Sequence, residues 1–433
     1  MNLPPQFSYR DGQLFIEDVS LASVGERFGT PVYIYSKAAL VNAYAAYADA
    51  LRPQLASDMA MICYAVKANS NLAILSVFAK GGSGFDIVSG GELERVLAAG
   101  GDPQRVIFSG VGKTRDEMRY ALEVGIGCFN IESLSEGHQL AAVANETGKS
   151  APVSLRINPD VDARTHPYIA TGLKESKFGI AYSDALDAYR AIAAMPSLRI
   201  IGVDCHIGSQ LLDDEPLMDA LEKLLDLVDR LAEENIAIEH VDLGGGIGIR
   251  YGNEDTNASI DVASYIGRVV ERIDNWQGSR NGRPPVKLLF EPGRSLVGNA
   301  GALLMRTLVL KPGAAKNFAI VDAAMNDLLR PALYDAWHEF APVDRTSAQL
   351  PKVWDIVGPV CESGDWLARE RSIALSEGDL LACLSTGAYG IAMASNYNSR
   401  PRAAEVLIDG STMHLIRDRE SIASLFAGEH LVE

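Results

Sequence analysis

The sequence predicts an α/β protein: a (β/α)8 TIM-type barrel and a mainly β second domain of β-sandwich or Greek-key-like barrel type. Three observations carry that expectation. From residue 37 to residue 291, short apolar runs alternate with helical patterns roughly eight times, as a (β/α)8 barrel requires. Those runs are nearly continuous rather than alternating in polarity, which suits parallel strands buried on both faces. After Arg294 the alternation stops, and strand-like runs follow one another with few helices between them.

Residues 1–36 hold two strand-like runs, Gln13–Val19 and Pro31–Tyr35, joined by a helical stretch, Leu21–Phe28. They precede the first barrel helix, Lys37–Leu51, so they are expected to join the second domain. The opening barrel strand is Ala60–Val66, an unbroken apolar run that stops at Lys67. Ser70 or Asn71 is placed to cap the helix that follows over Leu72–Lys80. The other barrel strands are expected at Gly84–Val88, Arg105–Phe108, Cys128–Ile131, Val153–Ile157, Ile200–Cys205, Glu239–Leu243 and Lys287–Phe290. Before the seventh strand, Leu217, Leu221, Leu224, Leu225, Val228 and Leu231 fall at the three-and-four spacing of one buried helix face. The longest irregular connection, Asn158–Gly179, reads as an active-site loop. Strand-like runs then follow at Ala302–Leu310, Phe318–Val321, Val353–Val357, Leu380–Leu384, Ala404–Leu407 and Met413–Ile416. The expected domains are 37–291 for the barrel and 1–36 with 292–433 for the β domain.

A chain of 433 residues, 48% hydrophobic and 22% charged, has the composition of an ordinary globular protein with a sizeable core. Its formal charge of −17 argues against a nucleic-acid or anionic-membrane partner, which would call for a basic patch. No apolar stretch reaches the roughly 20 residues needed to span a bilayer. The first residues lack the basic head and apolar core of a secretory signal. Five scattered cysteines, odd in number and without CxxC spacing, suggest reduced thiols in the cytoplasm rather than disulfides or a zinc site.

In a barrel of this kind the chemistry lies just after each strand, at the carboxyl face. The residues there are Lys67, Asp86, Ser109, Arg156 with Asn158, His206, Gly244–Gly246, and Glu291 with Arg294. Lys67 alone reads by default as a lysine whose stem packs while its ammonium reaches water. Asp86 is either a helix cap or the group that orients Lys67 and holds it charged. The turn Asp242-Leu243-Gly244-Gly245-Gly246-Ile247-Gly248 fails the dinucleotide fingerprint, because Ile249 stands where a third glycine belongs. It is either a tight barrel turn or a phosphate nest; the loops after strands seven and eight are the usual phosphate site of this fold. Glu291-Pro292-Gly293-Arg294 would place a carboxylate beside a nitrogen base, with the Gly293 and Arg294 amides near phosphate and the Arg294 guanidinium facing a carboxylate. His206 could lie flat against a cofactor ring, with Ser209 donating to phosphate. A lysine, a phosphate nest and a buried glutamate at one barrel mouth suggest pyridoxal 5′-phosphate. No His/Asp/Glu cluster shows metal-ligand spacing, so no metal is expected.

Five motifs resemble the fold-type III pyridoxal-phosphate enzymes, the alanine racemase-like barrels. They are Tyr64-Ala65-Val66-Lys67-Ala68-Asn69, the stretch Phe85–Leu93, His206-Ile207-Gly208-Ser209-Gln210, Gly244-Gly245-Gly246 and Glu291-Pro292-Gly293-Arg294. Within that group, Cys361-Glu362-Ser363-Gly364-Asp365, Gly387-Ala388-Tyr389-Gly390, the stretch Asn326–Tyr334 and the stretch His166–Gly172 are similar to the diaminopimelate decarboxylases. The resemblance implies that Lys67 carries the cofactor and that Gly245, Glu291, Gly293, Arg294 and Tyr389 bind it, and the strand-end reading adds Asp86, His206, Ser209 and Gly246 to the expected cofactor site. It implies substrate contacts from Arg294, Arg330, Tyr334, Glu362 and Tyr389, and a proton from Cys361. It also implies a homodimer in which the Cys361–Glu362 loop completes the partner's site, and decarboxylation of meso-2,6-diaminopimelate to L-lysine, the last step of that route to lysine.

Rival readings differ at particular residues. A sister decarboxylase acting on ornithine, arginine or carboxynorspermidine would lack the pairing of Arg330 with the Cys361–Asp365 loop. A racemase on the same barrel would need a base on each face of the cofactor. A non-catalytic cofactor-binding regulator would have no use for Cys361 and Glu362.

Overall fold

A computed structural model of the chain describes residues 3–52, 55–56, 58–162, 176–252, 259–280, 283–346 and 349–433. The middle of the Asn158–Gly179 loop, with the His166–Gly172 motif, lies outside the described residues. The chain divides into two compact units, Ala43–Ile249 with Thr256–Ser295, and Met1–Asn42 with Arg250–Asp255 and Leu296–Glu433. The helix Lys37–Leu51 crosses the first of these divisions.

The unit containing Lys67 is a closed parallel barrel. Its strands are β1 (Ala60–Ala65), β2 (Gly84–Ile87), β3 (Val106–Phe108), β4 (Cys128–Ile131), β5 (Ala151–Asn158), β6 (Leu198–Asp204), β7 (His240–Asp242) and β8 (Lys287–Phe290). Each pairs in parallel with the next, and β8 closes on β1 with Leu288, Leu289 and Phe290 opposite Ala60, Met61 and Ile62. Burial on both faces explains the unbroken apolar runs: Ile62 to Val66 and all four residues of β2 are buried.

Local chemistry starts the helices between these strands. Asn71, rather than Ser70, caps Leu72–Lys80, its side chain accepting the Ala73 N–H at 2.9 Å. Thr114 and Glu117 form a reciprocal capping box at the start of Arg115–Val124. Helix Glu215–Glu233 buries the six residues of its apolar face, Leu217, Leu221, Leu224, Leu225, Val228 and Leu231. Each contributes about 1.5–3 kcal/mol of gross burial energy.

The second unit is built around β9 (Gly301–Lys311), which pairs antiparallel with both β10 (Phe318–Val321) and the N-terminal strand Val32–Ser36. On the one side β10 leads to β12 (Lys352–Val357) and β13 (Trp366–Ile373); on the other, Val32–Ser36 leads to β15 (Ala404–Asp409) and β16 (Thr412–Arg417). A branch joins β11 (Phe340–Pro342) through β14 (Leu380–Leu384) to β9. Leu14, Ile16, Val24, Val32, Ile34, Leu304, Ala382 and Val406 share one buried cluster, so residues from the N-terminal stretch and from beyond residue 296 build a common core.

Three strands of this unit are not apparent from the sequence, one of them Phe7–Arg10, which pairs antiparallel with Gln13–Ile16. β11 is three residues long and ends at Pro342, too short for a periodicity. β13 reads Trp-Leu-Ala-Arg-Glu-Arg-Ser-Ile, and its pairing with β12 shifts register twice, which breaks the alternation a strand normally shows. Among the described residues, no helix is long and apolar enough to cross a membrane.

Candidate active site

The end of β1 sets the geometry around Lys67. The strand turns into a single 3₁₀ turn, Val66–Ala68, and the Tyr64 hydroxyl fixes it by donating to the Asn69 carbonyl at 2.8 Å. Lys67 Nζ then meets Asp86 Oδ2 at 2.6 Å. The Asp86 side chain is fully buried while that of Lys67 keeps 35% exposure, so the amine faces the barrel mouth with its partner beneath it. Asp86 lies within β2 and caps no helix; Ser89 caps the following one. Glu92 joins this corner, its carboxylate accepting the Val88 N–H at 2.7 Å, and burial raises its pKa to about 7.

The turn after β7 leaves no room for side chains. A Cβ on Gly244, at φ +62°, would sit 2.4 Å from the Cys205 carbonyl, and one on Gly245 would sit 2.3 Å from the Glu291 carbonyl. The turn is held by Asp242, whose Oδ1 accepts the Gly244 N–H at 2.8 Å, and by the Glu291 N–H, which donates to the Gly244 carbonyl at 2.7 Å. The Gly245 N–H donates to His206 Nδ1 at 3.1 Å. A ring nitrogen that accepts carries no proton, so this imidazole is neutral. Burial, with Arg156 and Lys67 nearby, drives its pKa well below the ordinary value. Gly293 packs its backbone against Ala65 and Ala68, and Arg294 Nη2 donates to Ser209 Oγ at 3.1 Å.

Glu291 lies at the centre of an acid cluster. Single oxygens of Asp204, Asp242 and Glu291, all buried, lie within 4.8 Å of one another. Burial and then mutual repulsion push Glu291 and Asp204 well above the carboxylate range, and burial takes Asp242 to about 7. The wide sequence separation of these three residues hides the cluster from a spacing argument. Arg156 stands beside it, paired with Glu132 at 3.1 Å and donating to the His206 carbonyl at 3.3 Å. Of these groups, Glu92, Glu132 and Asp204 go beyond the sequence reading. The available signal was an acid at the last position of a buried strand, which Asp204 and Asp242 share.

The remaining expected residues belong to the β-rich unit. Arg330 opens the short helix Arg330–Tyr334 and is buried, with its guanidinium over the Tyr251 ring at 4.4 Å and Nη1 2.8 Å from His338 Nε2. Tyr389 holds a left-handed backbone at φ +55° in the turn after β14. Cys361 and Glu362 lie on an exposed loop before β13, and Cys361 is the one exposed cysteine of the five in the chain.

A closed parallel barrel whose carboxyl end joins an acid-paired lysine, a glycine cradle and a buried acid cluster defines a barrel enzyme of the pyridoxal-dependent class. Residues 38–298 match the family model described as "Pyridoxal-dependent decarboxylase, pyridoxal binding domain". The chain is 58% identical over 426 residues to diaminopimelate decarboxylase from Pseudomonas aeruginosa, covering 98% of this chain and 99% of that one. It is 50% identical over 429 residues to the enzyme of the same name from Vibrio cholerae, with 98% and 99% covered. A crystal structure of diaminopimelate decarboxylase from M. jannaschii in complex with L-lysine superposes with a TM-score of 0.90 at 37% identity, over 99% of this chain and 98% of that one. The chain belongs to the diaminopimelate decarboxylase family.

The residues present fit pyridoxal phosphate. The Gly244–Gly246 turn is a cradle that any Cβ would fill, and two buried oxygens of the acid cluster, Asp204 Oδ1 and Asp242 Oδ2, have no hydrogen-bond donor among the described residues. A protonated pyridine nitrogen would be such a donor, and Lys67 offers an amine of the kind the cofactor's aldehyde requires.

Proposed function

We propose that this chain decarboxylates meso-2,6-diaminopimelate to L-lysine and CO2, the last step of lysine biosynthesis through diaminopimelate. The observation that carries this reading is the 2.6 Å Lys67–Asp86 pair on the same barrel as the Glu291 cluster and the glycine turn. Lys67 Nζ would hold pyridoxal phosphate, Asp86 would orient that amine, and the neutral His206 ring would pack against the cofactor. Ser209, Gly245, Gly246, Gly293, Arg294 and Tyr389 hold its phosphate, and Glu291 keeps its pyridine nitrogen protonated. Bound there, the cofactor supplies an electron sink for the pair left when the Cα–carboxylate bond breaks.

The chain's own residues do the rest. Arg294, Arg330, Tyr334 and Tyr389 bind the substrate, the arginines as planar donors for carboxylate. Glu362 takes the ammonium at the far end of diaminopimelate. Cys361 Sγ delivers the proton that replaces the lost carboxylate on the α carbon, so one proton is consumed for each CO2 released. The active form is a homodimer in which the partner's Cys361–Glu362 loop completes each site, and the enzyme works in the cytoplasm, where its thiols stay reduced.

Two measurements test this. CO2 release is assayed from meso-diaminopimelate beside ornithine, arginine and lysine; preference for any of the last three refutes the substrate. Borohydride reduction of the yellow holoenzyme is expected to fix the cofactor on Lys67, and label on another lysine refutes that role.

A further inference from the structure

The loop proposed to carry the proton donor and the ammonium reader is held at two points by one neighbouring segment. Asn398 Oδ1 accepts the Cys361 N–H at 3.1 Å, and the Tyr397 hydroxyl donates to the Glu362 carboxylate. Neither contact has an obvious purpose in stability. Both loop residues are exposed, Tyr397 is 45% exposed, and hydrogen bonds between exposed groups contribute little to folding. Yet the segment adopts a costly backbone to make them. Asn398 and Ser399 are consecutive non-glycine residues in the left-handed region, at φ +56° and +55°. Such conformations persist where surrounding contacts over-determine them.

Those contacts exist. The Ser395 N–H donates to the Asn326 carbonyl at 2.9 Å. The Asn396 amide reaches the Glu420 carboxylate at 2.7 Å and accepts from Arg402 at 2.8 Å. The loop is anchored from its other end into the same stretch. The buried Asp365 carboxylate accepts the Met325 N–H and the Val360 N–H, each at 2.7 Å. Met325 and Asn326 thus tie the base of the Cys361–Glu362 loop to the base of the Tyr397–Asn398 turn.

We infer that Tyr397 and Asn398 are positioning residues for the decarboxylation, Asn398 fixing the backbone from which the Cys361 thiol projects and Tyr397 fixing the Glu362 carboxylate. The inference rests on the roles proposed above for Cys361 and Glu362. Two distinct effects follow. Loss of the Tyr397 hydroxyl leaves the ammonium reader free to wander and weakens substrate binding. Loss of the Asn398 acceptor misplaces the proton donor and slows turnover.

The test uses the full-length holoenzyme and separates kcat from KM for meso-diaminopimelate. Tyr397→Phe is expected to raise KM about tenfold with kcat within twofold of wild type, the size of one charge-assisted hydrogen bond at an exposed site. Asn398→Gly keeps the left-handed backbone but removes the acceptor, and is expected to lower kcat about fivefold with KM little changed. Asn398→Asp keeps the acceptor and is expected to restore kcat. Wild-type kinetics in Tyr397→Phe or Asn398→Gly overturns the inference, as does an equal loss in Asn398→Asp and Asn398→Gly, which would mark a merely structural turn. Cys361→Ala and Glu362→Gln run in parallel. If these two keep wild-type kinetics, the underlying roles fail; if they are impaired while Tyr397→Phe and Asn398→Gly are not, the positioning inference alone fails.

Discussion

Gly245→Ala is the most direct perturbation of the cradle. The added Cβ would lie 2.3 Å from the Glu291 carbonyl oxygen and 3.1 Å from its carbon, and no rotamer change can relieve a clash with backbone. Either the turn or the Glu291 segment must move. Movement of the turn takes the Gly245 N–H from His206 Nδ1, now 3.1 Å away, and movement of the segment displaces the carboxylate meant for the pyridine nitrogen. Overpacking of this kind costs about 1–3 kcal/mol and the lost hydrogen bond about 1 kcal/mol more, together about 2–4 kcal/mol. Expressed at the cofactor site, that is a weakening of pyridoxal phosphate affinity by about 30- to 700-fold. The assay is a titration of the cofactor-free variant with pyridoxal phosphate, followed by absorbance, beside a melting curve that checks folding. An affinity within threefold of wild type refutes the cradle.

Other expectations address the acids, the lysine and the dimer. Asp242 has its pKa raised by burial from 3.8 to about 7, so folding takes up a proton between those values. Its contribution to the stability of the cofactor-free protein is therefore fully present below about pH 4 and lost as pH rises through about 7. Asp242→Asn should flatten the urea midpoint across that window, and an unchanged slope would dismiss the assignment. Lys67→Ala should abolish both turnover and the yellow colour, and full turnover in that variant would remove Lys67 from the chemistry. Cys361→Ala should reduce turnover at least tenfold while retaining bound cofactor; unaltered turnover excludes it as proton donor. Mixing Lys67→Ala with Cys361→Ala protein should recover part of the activity through hybrid sites. No recovery under demonstrated subunit exchange would argue against a shared site.

The barrel is legible in the sequence because each parallel strand buries both faces and therefore prints a continuous apolar run. Ala60–Ala65 and Lys287–Phe290 are read to within a residue for that reason, and the helix Glu215–Glu233 because its leucines keep one spacing. β11 and β13 escape notice, the first for its length and the second for its register shifts and alternating charges. At the site, Lys67, His206, the glycines and Glu291 are visible because each directly follows an apolar run, and Asp86 because it is a charged residue inside one. Glu132 also follows a strand, Cys128–Ile131, but its pairing with Arg156 is not visible, because that partner lies on the next strand and the pair exists only once those strands are side by side.

The sequence by itself therefore determines the alternation, the strand ends and the residue types exposed there, all of which depend on local burial. The tertiary structure alone decides which of those groups meet. Lys67 could have been a lysine reaching for water; parallel pairing of β1 with β2, which sets Ala65 opposite Asp86, brings an acid to its amine. Closure of β6, β7 and β8 gathers Asp204, Asp242 and Glu291 into one low-dielectric cluster, so three ordinary carboxylates compete for protons. Through-space proximity of this kind is set by register and ring closure, and no stretch of neighbouring residues encodes it.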